Sequence, residues 1–278
     1  MLVIRRDHYS PQMARVILRL PFEKRVGGIR SGSGWTLTLL AVSYAIVSYV
    51  LTKEESRSMK PVTTIPASPT PEKPMMRGWL HLGMTPFVLI AGIVLIVLAP
   101  SGVKLACAIY VLSSLFLFGN SALYHRRNWS PAASVVLRRV DHANIFLFIA
   151  GSYTPLAVQL LDGTSQVVLL SVIWGIAGLG VLFRVFWLSA PRALYTALYI
   201  AMGWAAVFWL PDFWRAGGPA IVILLAAGGV AYTVGAVIYA LKRPNPSPKY
   251  FGFHEIFHAC TILAALLHMV AIWLAVFG

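Results

Sequence analysis

The chain contains 278 residues, of which 58% are hydrophobic and only 12% are charged. The apolar residues fall in long blocks rather than in the short alternating runs of a soluble domain, so the composition excludes a soluble globular fold. The formal net charge of +14 is carried by an N-terminal segment and by short loops between the apolar blocks. That distribution is typical of membrane proteins and does not indicate a nucleic-acid partner.

Residues 1–76 are predicted to form a basic, partly disordered extension. It contains an apolar run of 17 residues at 35–51, followed by a proline-rich polar linker. A run of this length is at the short limit for a membrane span and also resembles a signal-like segment. We expect it to associate with the membrane without crossing, because a span would place Arg77 and the basic tail on opposite sides. A third interpretation is that this extension is not part of the natural product.

The remainder of the chain, 77–278, is predicted to form one all-α membrane domain, a bundle of seven transmembrane helices. Its apolar blocks reach the length of about 20 residues that a helix needs to cross the hydrocarbon core. Short turns rich in proline and glycine separate the blocks, so consecutive helices should be antiparallel neighbours. The helices are expected at 79–99, 101–124, 136–160, 164–187, 191–210, 217–241 and 253–276.

Loop charges predict the orientation of this bundle. The connections after the second, fourth and sixth helices carry nine basic residues, whereas those after the first, third and fifth carry only Lys104 and Arg215. Cytoplasmic loops are enriched in Lys and Arg, so the N-terminus is predicted inside and the C-terminus outside. The nine residues are Arg126, Arg127, Arg138, Arg139, Arg184, Arg192, Lys242, Arg243 and Lys249.

Four polar side chains are expected to share one depth at the cytoplasmic edge. His125 ends the second predicted helix, Asp141 lies in the first turns of the third, and His254 and His258 lie in the first turns of the seventh. Ionisable groups inside a membrane helix are costly and are usually retained for function. Their common depth therefore predicts a single site.

The residue types at this depth favour a zinc ion. His254 and His258 are four residues apart, on one helix face, where two imidazoles can hold one tetrahedral metal. With His125 they make three histidine ligands, and an open fourth position is the arrangement of catalytic zinc. Asp141 is then expected to act on the bound water, and Ser121, one turn before His125, to donate to a developing oxyanion or to a ligand.

Three other histidines are interpreted as structural. His81, at the start of the first helix, is expected to be an interfacial anchor. His142 points about 100° away from Asp141 around its helix and is expected to pack or to face the interface. His268 lies further along the seventh helix and is expected to form a hydrogen bond between helices.

The segment His254-Glu255-Ile-Phe-His258 also matches the H-E-x-x-H motif, in which the glutamate is the general base of a metalloprotease. Intramembrane metalloproteases add an aspartate from a distant L-D-G segment, and Leu161-Asp162-Gly163 is present here. The predicted topology weakens this alternative, because Asp162 would lie about 30 Å from the histidine pair, across the bilayer. We therefore favour Asp141 over Glu255 as the partner of the water.

A family resemblance becomes specific when four segments are taken together. They are Ser121-Ala-Leu-Tyr-His125, Arg139-Val-Asp141-His-Ala-Asn-Ile-Phe, Ala150-Gly-Ser-Tyr-Thr-Pro155 and Phe253-His-Glu-Ile-Phe-His258. Each pattern is short, but their order and spacing resemble the hemolysin III family, bacterial members of the progestin and adipoQ receptor superfamily. The resemblance covers roughly Arg77 to the C-terminus and leaves the long basic extension outside it.

The resemblance implies a multi-pass protein of the bacterial plasma membrane with seven helices. It implies zinc held by three histidines, which correspond to His125, His254 and His258, a water-associated carboxylate at Asp141 and a site serine at Ser121. It also implies metal-dependent hydrolysis of a lipid amide, as in ceramidase-like relatives, a role in membrane homeostasis, and membrane lipids as partners. Two alternatives stay open: a non-enzymatic receptor or homeostasis factor with structural zinc, and a cytolytic or pore-forming hemolysin. Sequence does not fix the oligomeric state.

Overall fold

A computed structural model describes residues 74–278 of the chain. The apolar run at 35–51 and the basic extension before it lie outside the described residues. Within the described range the secondary structure is helical, with a single isolated bridge between Ser247 and Phe251. The all-α class predicted from the sequence is therefore confirmed for this part of the chain.

The α-helices are numbered here in chain order. Among residues 74–278, six helical stretches are long and apolar enough to cross a membrane. The longest of them, Arg192–Leu241, contains two α-helices and a short 3-10 helix at Ala205–Trp209. The helices are α1 (Trp79–Leu98), α2 (Lys104–Arg126), α3 (Pro131–Leu160), α4 (Gly163–Phe186), α5 (Arg192–Gly203), α6 (Leu210–Leu241) and α7 (Phe253–Phe277).

Two predicted helix starts were wrong by five residues or more: α6 begins at Leu210 rather than at 217, and α3 begins five residues earlier than predicted. Helix α3 begins at Pro131 rather than at 136, because Ser130 caps it: the Ser130 side chain accepts a hydrogen bond of 3.3 Å from the backbone N–H of Ala133. Proline in the first helical position lacks an N–H that would be unpaired there in any case. The predicted start was taken from the beginning of the apolar run, whereas the helix actually begins directly after the polar N-cap residue Ser130.

The stretch Arg192–Leu241 folds back on itself. A straight helix of 50 residues would be about 75 Å long. Instead, helix α6 is interrupted at Gly218, whose φ of 76° belongs to the left-handed region that glycine tolerates. Arg192 of α5 donates to the Tyr239 carbonyl at 3.2 Å, and the Trp204 indole donates to Thr233 at 2.9 Å. Later positions on α5 thus meet earlier positions on α6, so the two segments run antiparallel.

Helix α3 lies at the centre of the bundle. It packs against α2 and α4 and also contacts α5, α6 and α7, whereas α7 packs mainly against α6 and also reaches α1. Helices α1 and α4 bury only about a quarter of their apolar windows inside the protein, 28% and 22%, against 67% for α3. Their outward faces carry large apolar side chains such as Ile90, Val97 and Leu179. Such a surface is suited to lipid and not to water.

Candidate metal centre

The C-terminal end of α2 contributes Ser121 and His125. They are one helical turn apart, and both are buried. Gly78, which precedes α1, packs directly against this turn: its φ is 82°, and a Cβ there would lie 2.9 Å from the Cβ of His125. Only glycine fits such a close approach at a positive φ. The chain that leads into α1 therefore lies directly against His125.

The N-terminal end of α7 contributes His254 and His258. Its first turn is held by Glu255, whose Oε2 accepts a hydrogen bond of 2.8 Å from the backbone N–H of Gly252. The other oxygen, Oε1, accepts from the guanidinium of Arg77 in an ion pair. A carboxylate in the first turn also interacts favourably with the helix dipole. Glu255 thus joins the start of α7 to the segment that precedes α1.

The three predicted histidine ligands come together in this structure. One nitrogen from each of His125, His254 and His258 can be chosen so that all three atoms lie within 4.8 Å of one another. Zn–N bonds of about 2.1 Å in a tetrahedral site place ligand nitrogens about 3.4 Å apart. The separations must therefore close by at most about 1.4 Å, which side-chain rotation can supply. In addition, His254 Nε2 is buried and has no hydrogen-bond partner among the described residues, so the donor set fits a metal ion.

Asp141, ten residues into α3, lies beside this cluster. Its Oδ2 is 3.8 Å from His125 Nε2, which is too long for a hydrogen bond. The side chain of Ser121 interacts with the same carboxylate. Asp141 is not among the residues whose donor atoms come within 4.8 Å of one another. The structure thus gathers all five predicted site residues, with three histidines as the close donor set and Asp141 at their edge.

The metalloprotease alternative conflicts with this geometry. Both carboxylate oxygens of Glu255 are engaged, one by Arg77 and one by the backbone of α7. Asp162 caps the start of α4, just beyond the C-terminal end of α3. From Asp141 to that end, α3 runs 20 residues, or about 30 Å. Neither Glu255 nor Asp162 is therefore placed to act with the histidine cluster.

The prediction that His81 anchors the protein at the interface was wrong. His81 is only 3% exposed and stacks on His258, with ring centroids 3.8 Å apart and planes at 10°. The start of α1 is predicted at the same membrane depth as the other histidines. His81 could therefore have been assigned to their cluster from the sequence. The role of Arg77 could not have been predicted in this way, because no sequence pattern pairs Arg77 with Glu255.

The other two histidines behave as expected. His142 accepts a hydrogen bond of 2.7 Å from Arg184 and stacks on Tyr195, so it packs against neighbouring helices. His268 Nε2 donates to the Leu225 carbonyl of α6 at 3.1 Å. This bond between helices confirms the predicted role of His268.

An apolar cavity opens from the histidine cluster into the bundle. His81, Ser121, Asp141, His254 and His258 line one end, while Trp204 and His268 line the other. Along α7, the 14 residues from His254 to His268 correspond to about 21 Å. The walls between are mainly aliphatic and aromatic, including Leu117, Ile145, Phe148, Ile149 and Tyr232. The cavity therefore combines a polar end with a long apolar passage.

Fold and site together define a class: a multi-pass helical membrane protein with a three-histidine cluster at one end of its bundle, in which His125 and His258 are buried and His254 is partly buried. A family model described as "Haemolysin-III related" matches residues 70–269. The chain therefore belongs to the haemolysin-III related family.

Individual relatives agree with this assignment. The chain is 32% identical over 135 residues to the hemolysin-3 homolog of Bacillus subtilis (strain 168), covering 49% of this chain and 63% of the relative. It is 32% identical over 139 residues to hemolysin-3 of Bacillus cereus, covering 50% and 63%. The heptahelical transmembrane protein ADIPOR2 of Oryza sativa subsp. japonica is 33% identical over 161 residues, covering 51% and 69%. The matched part thus spans less than two thirds of either hemolysin-3 relative. The match to the rice protein confirms the predicted link to the adipoQ receptor superfamily.

The contact between Arg77 and Glu255 should be measurable as a coupling energy. We expect Arg77→Gln and Glu255→Gln each to lower the free energy of unfolding by about 1.5–3 kcal/mol, the range for hydrogen bonds to charged groups. The double variant should lose clearly less than the sum, because both single changes break one interaction. Thermal unfolding of the purified protein in detergent measures all four forms, and strictly additive losses would contradict the pairing.

Proposed function

We propose that the chain crosses the bacterial plasma membrane seven times, with its N-terminus inside and its C-terminus outside. The antiparallel run of α5 beside α6 supports two crossings within Arg192–Leu241, and the rice relative is named heptahelical. Contacts of Arg184 with His142 and of Arg192 with Tyr239 bring the connection between α4 and α5 to the end of the bundle that carries the histidine cluster. All nine basic loop residues then share that end. We further propose that residues 77–278 form this membrane domain and that 1–76 are an extension to it.

Labelling of single cysteines tests the orientation. Gly102→Cys lies in the exposed connection between α1 and α2, and Arg243→Cys in the exposed connection between α6 and α7. A membrane-impermeant maleimide should label the first in intact spheroplasts and the second only after lysis, because the basic loops face the cytoplasm. The opposite pattern would reverse the orientation. Labelling of both in intact cells would contradict the alternation of crossings.

The histidine cluster is proposed to hold zinc through His125, His254 and His258. Three imidazoles with a fourth position left to water are the donor set of catalytic zinc, and the short separation of the nitrogens supports it. Zinc bound there would supply a Lewis acid and lower the pKa of a water molecule to near 7. Asp141 and Ser121 lie beside the cluster, where they can orient that water and a substrate carbonyl.

Metal analysis of the purified protein tests the ligand assignment. His258→Ala should retain less than about a tenth of the zinc of the wild type, since two histidines cannot complete the three-ligand set. The matched control is His268→Ala on the same helix, which removes a hydrogen bond to Leu225 and should leave the zinc content unchanged. Equal zinc in His258→Ala and the wild type would contradict the site. Circular dichroism identifies any variant that fails to fold.

The function best supported by this geometry is hydrolysis of a lipid amide. The observation that carries the proposal is the apolar cavity that begins at the histidine cluster and at Asp141 and is lined along α7 as far as His268, about 21 Å from His254. An acyl chain fits such walls, and it would bring its amide group to the polar end. Membrane lipids are thus the proposed partners, and membrane homeostasis the proposed role.

In the proposed reaction Asp141 acts as the general base. It accepts a proton from the attacking water while the water oxygen bonds to the amide carbon. The C–N bond then breaks, and the same proton passes from Asp141 to the leaving nitrogen, so that the products are a fatty acid and an amine. The Ser121 hydroxyl can donate to the carbonyl oxygen as negative charge develops on it. Glu255, held by Arg77 and by Gly252, takes no part.

Release of fatty acid from C16 ceramide and from other N-acyl lipids tests this reaction. Asp141→Asn should keep the zinc of the wild type and lower turnover about 10²- to 10⁴-fold, the usual contribution of a general base. The matched control is Asp162→Asn, which makes the same change at the far end of α3 and should leave turnover unchanged. Zinc-loaded wild type without turnover on any of these lipids would reject the hydrolase. Loss of zinc in Asp141→Asn would instead make Asp141 a fourth ligand of a structural site.

A further inference from the structure

His81 is a buried imidazole whose polar atoms are left without partners. Its side chain is 97% covered, since only 3% of the residue is exposed. Neither Nδ1 nor Nε2 has a hydrogen-bond partner anywhere in residues 74–278. A neutral imidazole carries one donor and one acceptor, and burial without partners is costly for both. A phenylalanine or leucine would fill the same space without that cost, so packing alone does not account for a histidine here.

The surroundings of His81 restrict where its partners can come from. One face of the ring is covered by His258, stacked at 3.8 Å, and the Phe118 ring meets it edge to face at 5.1 Å. Hydrogen bonds of an imidazole lie in the plane of its ring, so a stacked neighbour cannot satisfy them. The side chain also lines the polar end of the apolar cavity. Polar groups that complete His81 must therefore come from the contents of this cavity.

His81 is distinct from the three close donors. His125, His254 and His258 bring ligand atoms within 4.8 Å of one another, and His81 does not belong to that set. Its ring stacks on His258, one of the three donors, and its side chain lines the cavity. It is therefore positioned to contact a molecule that approaches the cluster along the cavity.

We propose that His81 is the head-group subsite of the cavity: its imidazole hydrogen-bonds the polar group of an amphiphilic ligand, such as an amide, whose acyl chain extends toward Trp204 and His268. The choice of an amide rests on the proposed function, but the subsite itself rests on the two unpartnered nitrogens. This subsite orients the ligand so that its polar head group lies at the histidine cluster. It also favours amphiphiles over wholly apolar chains of the same length.

Two probes that differ only in the head group test this subsite. N-hexadecylacetamide carries an amide on a C16 chain, and hexadecane carries the same chain alone. The zinc-loaded protein in lipid nanodiscs should bind N-hexadecylacetamide more tightly than hexadecane. His81→Phe keeps the ring stack on His258 but removes both nitrogens, so it should bind the amide about two- to tenfold more weakly. Its affinity for hexadecane and its zinc content should not change.

Two further variants separate the hydrogen bond from packing. Tyr232→Phe removes a hydroxyl that also lines the cavity without a partner among the described residues, and it tests the competing position for the head group. The preference for the amide should persist in Tyr232→Phe if the head group lies at His81. His81→Gln removes the ring and keeps a polar group, and it should retain part of that preference. If His81→Phe is too unstable to purify, the same preference for the amide is compared between His81→Gln, which keeps a polar group, and His81→Leu, which does not.

Three outcomes would overturn the proposal: no preference for the amide in the wild type, an undiminished preference in His81→Phe, or loss of zinc from His81→Phe. The last would make His81 a support of the metal site. Failure of the hydrolase is a separate result. A protein that turns over no lipid amide, yet loses its amide preference in His81→Phe, supports the subsite and rejects only the reaction.

Discussion

The hydrocarbon core of a membrane offers no hydrogen bonds, so ionisable and strongly polar side chains on membrane helices are favoured inside the bundle rather than on its lipid-facing surface. This constraint brings the polar residues of α1, α2, α3 and α7 together at one end. Arg77 pairs with Glu255, and three imidazoles converge within 4.8 Å beside Asp141. The outward faces of α1 and α4 are mainly apolar. The same arrangement places the histidine cluster at one end of the apolar cavity.

The contacts of Glu255 show that one local motif can occur in two different structural settings. In a metalloprotease the glutamate of H-E-x-x-H faces the water. Here its two oxygens are taken by Arg77 and by the backbone of Gly252, so it fixes the start of α7 and the chain before α1. The histidines on either side of it, His254 and His258, are thereby held at the depth of His125. The carboxylate that lies beside the cluster is that of Asp141 instead.

The histidines also differ in whether their ring nitrogens are paired with protein groups. His142 and His268 are paired with Arg184 and with the Leu225 carbonyl, and these contacts join neighbouring helices. His81 lacks such a partner among the described residues and lies on the cavity wall. A buried imidazole that is paired with protein stabilises the fold, whereas one that is not paired points to a ligand. This difference depends on contacts and not on residue type.

The sequence by itself determined the helical class, most helix bounds and the meeting of His125, Asp141, His254 and His258, because hydropathy, loop charge and helical spacing are local properties. It missed the start of α3, where the Ser130 cap counts for more than the apolar run. Tertiary structure alone decided the pairing of Arg77 with Glu255, 178 residues apart, and the place of His81 against His258. Such contacts depend on how each helix is rotated about its axis and packed around α3. The apolar pattern of the sequence does not specify this rotation, because nearly every face of these helices is apolar.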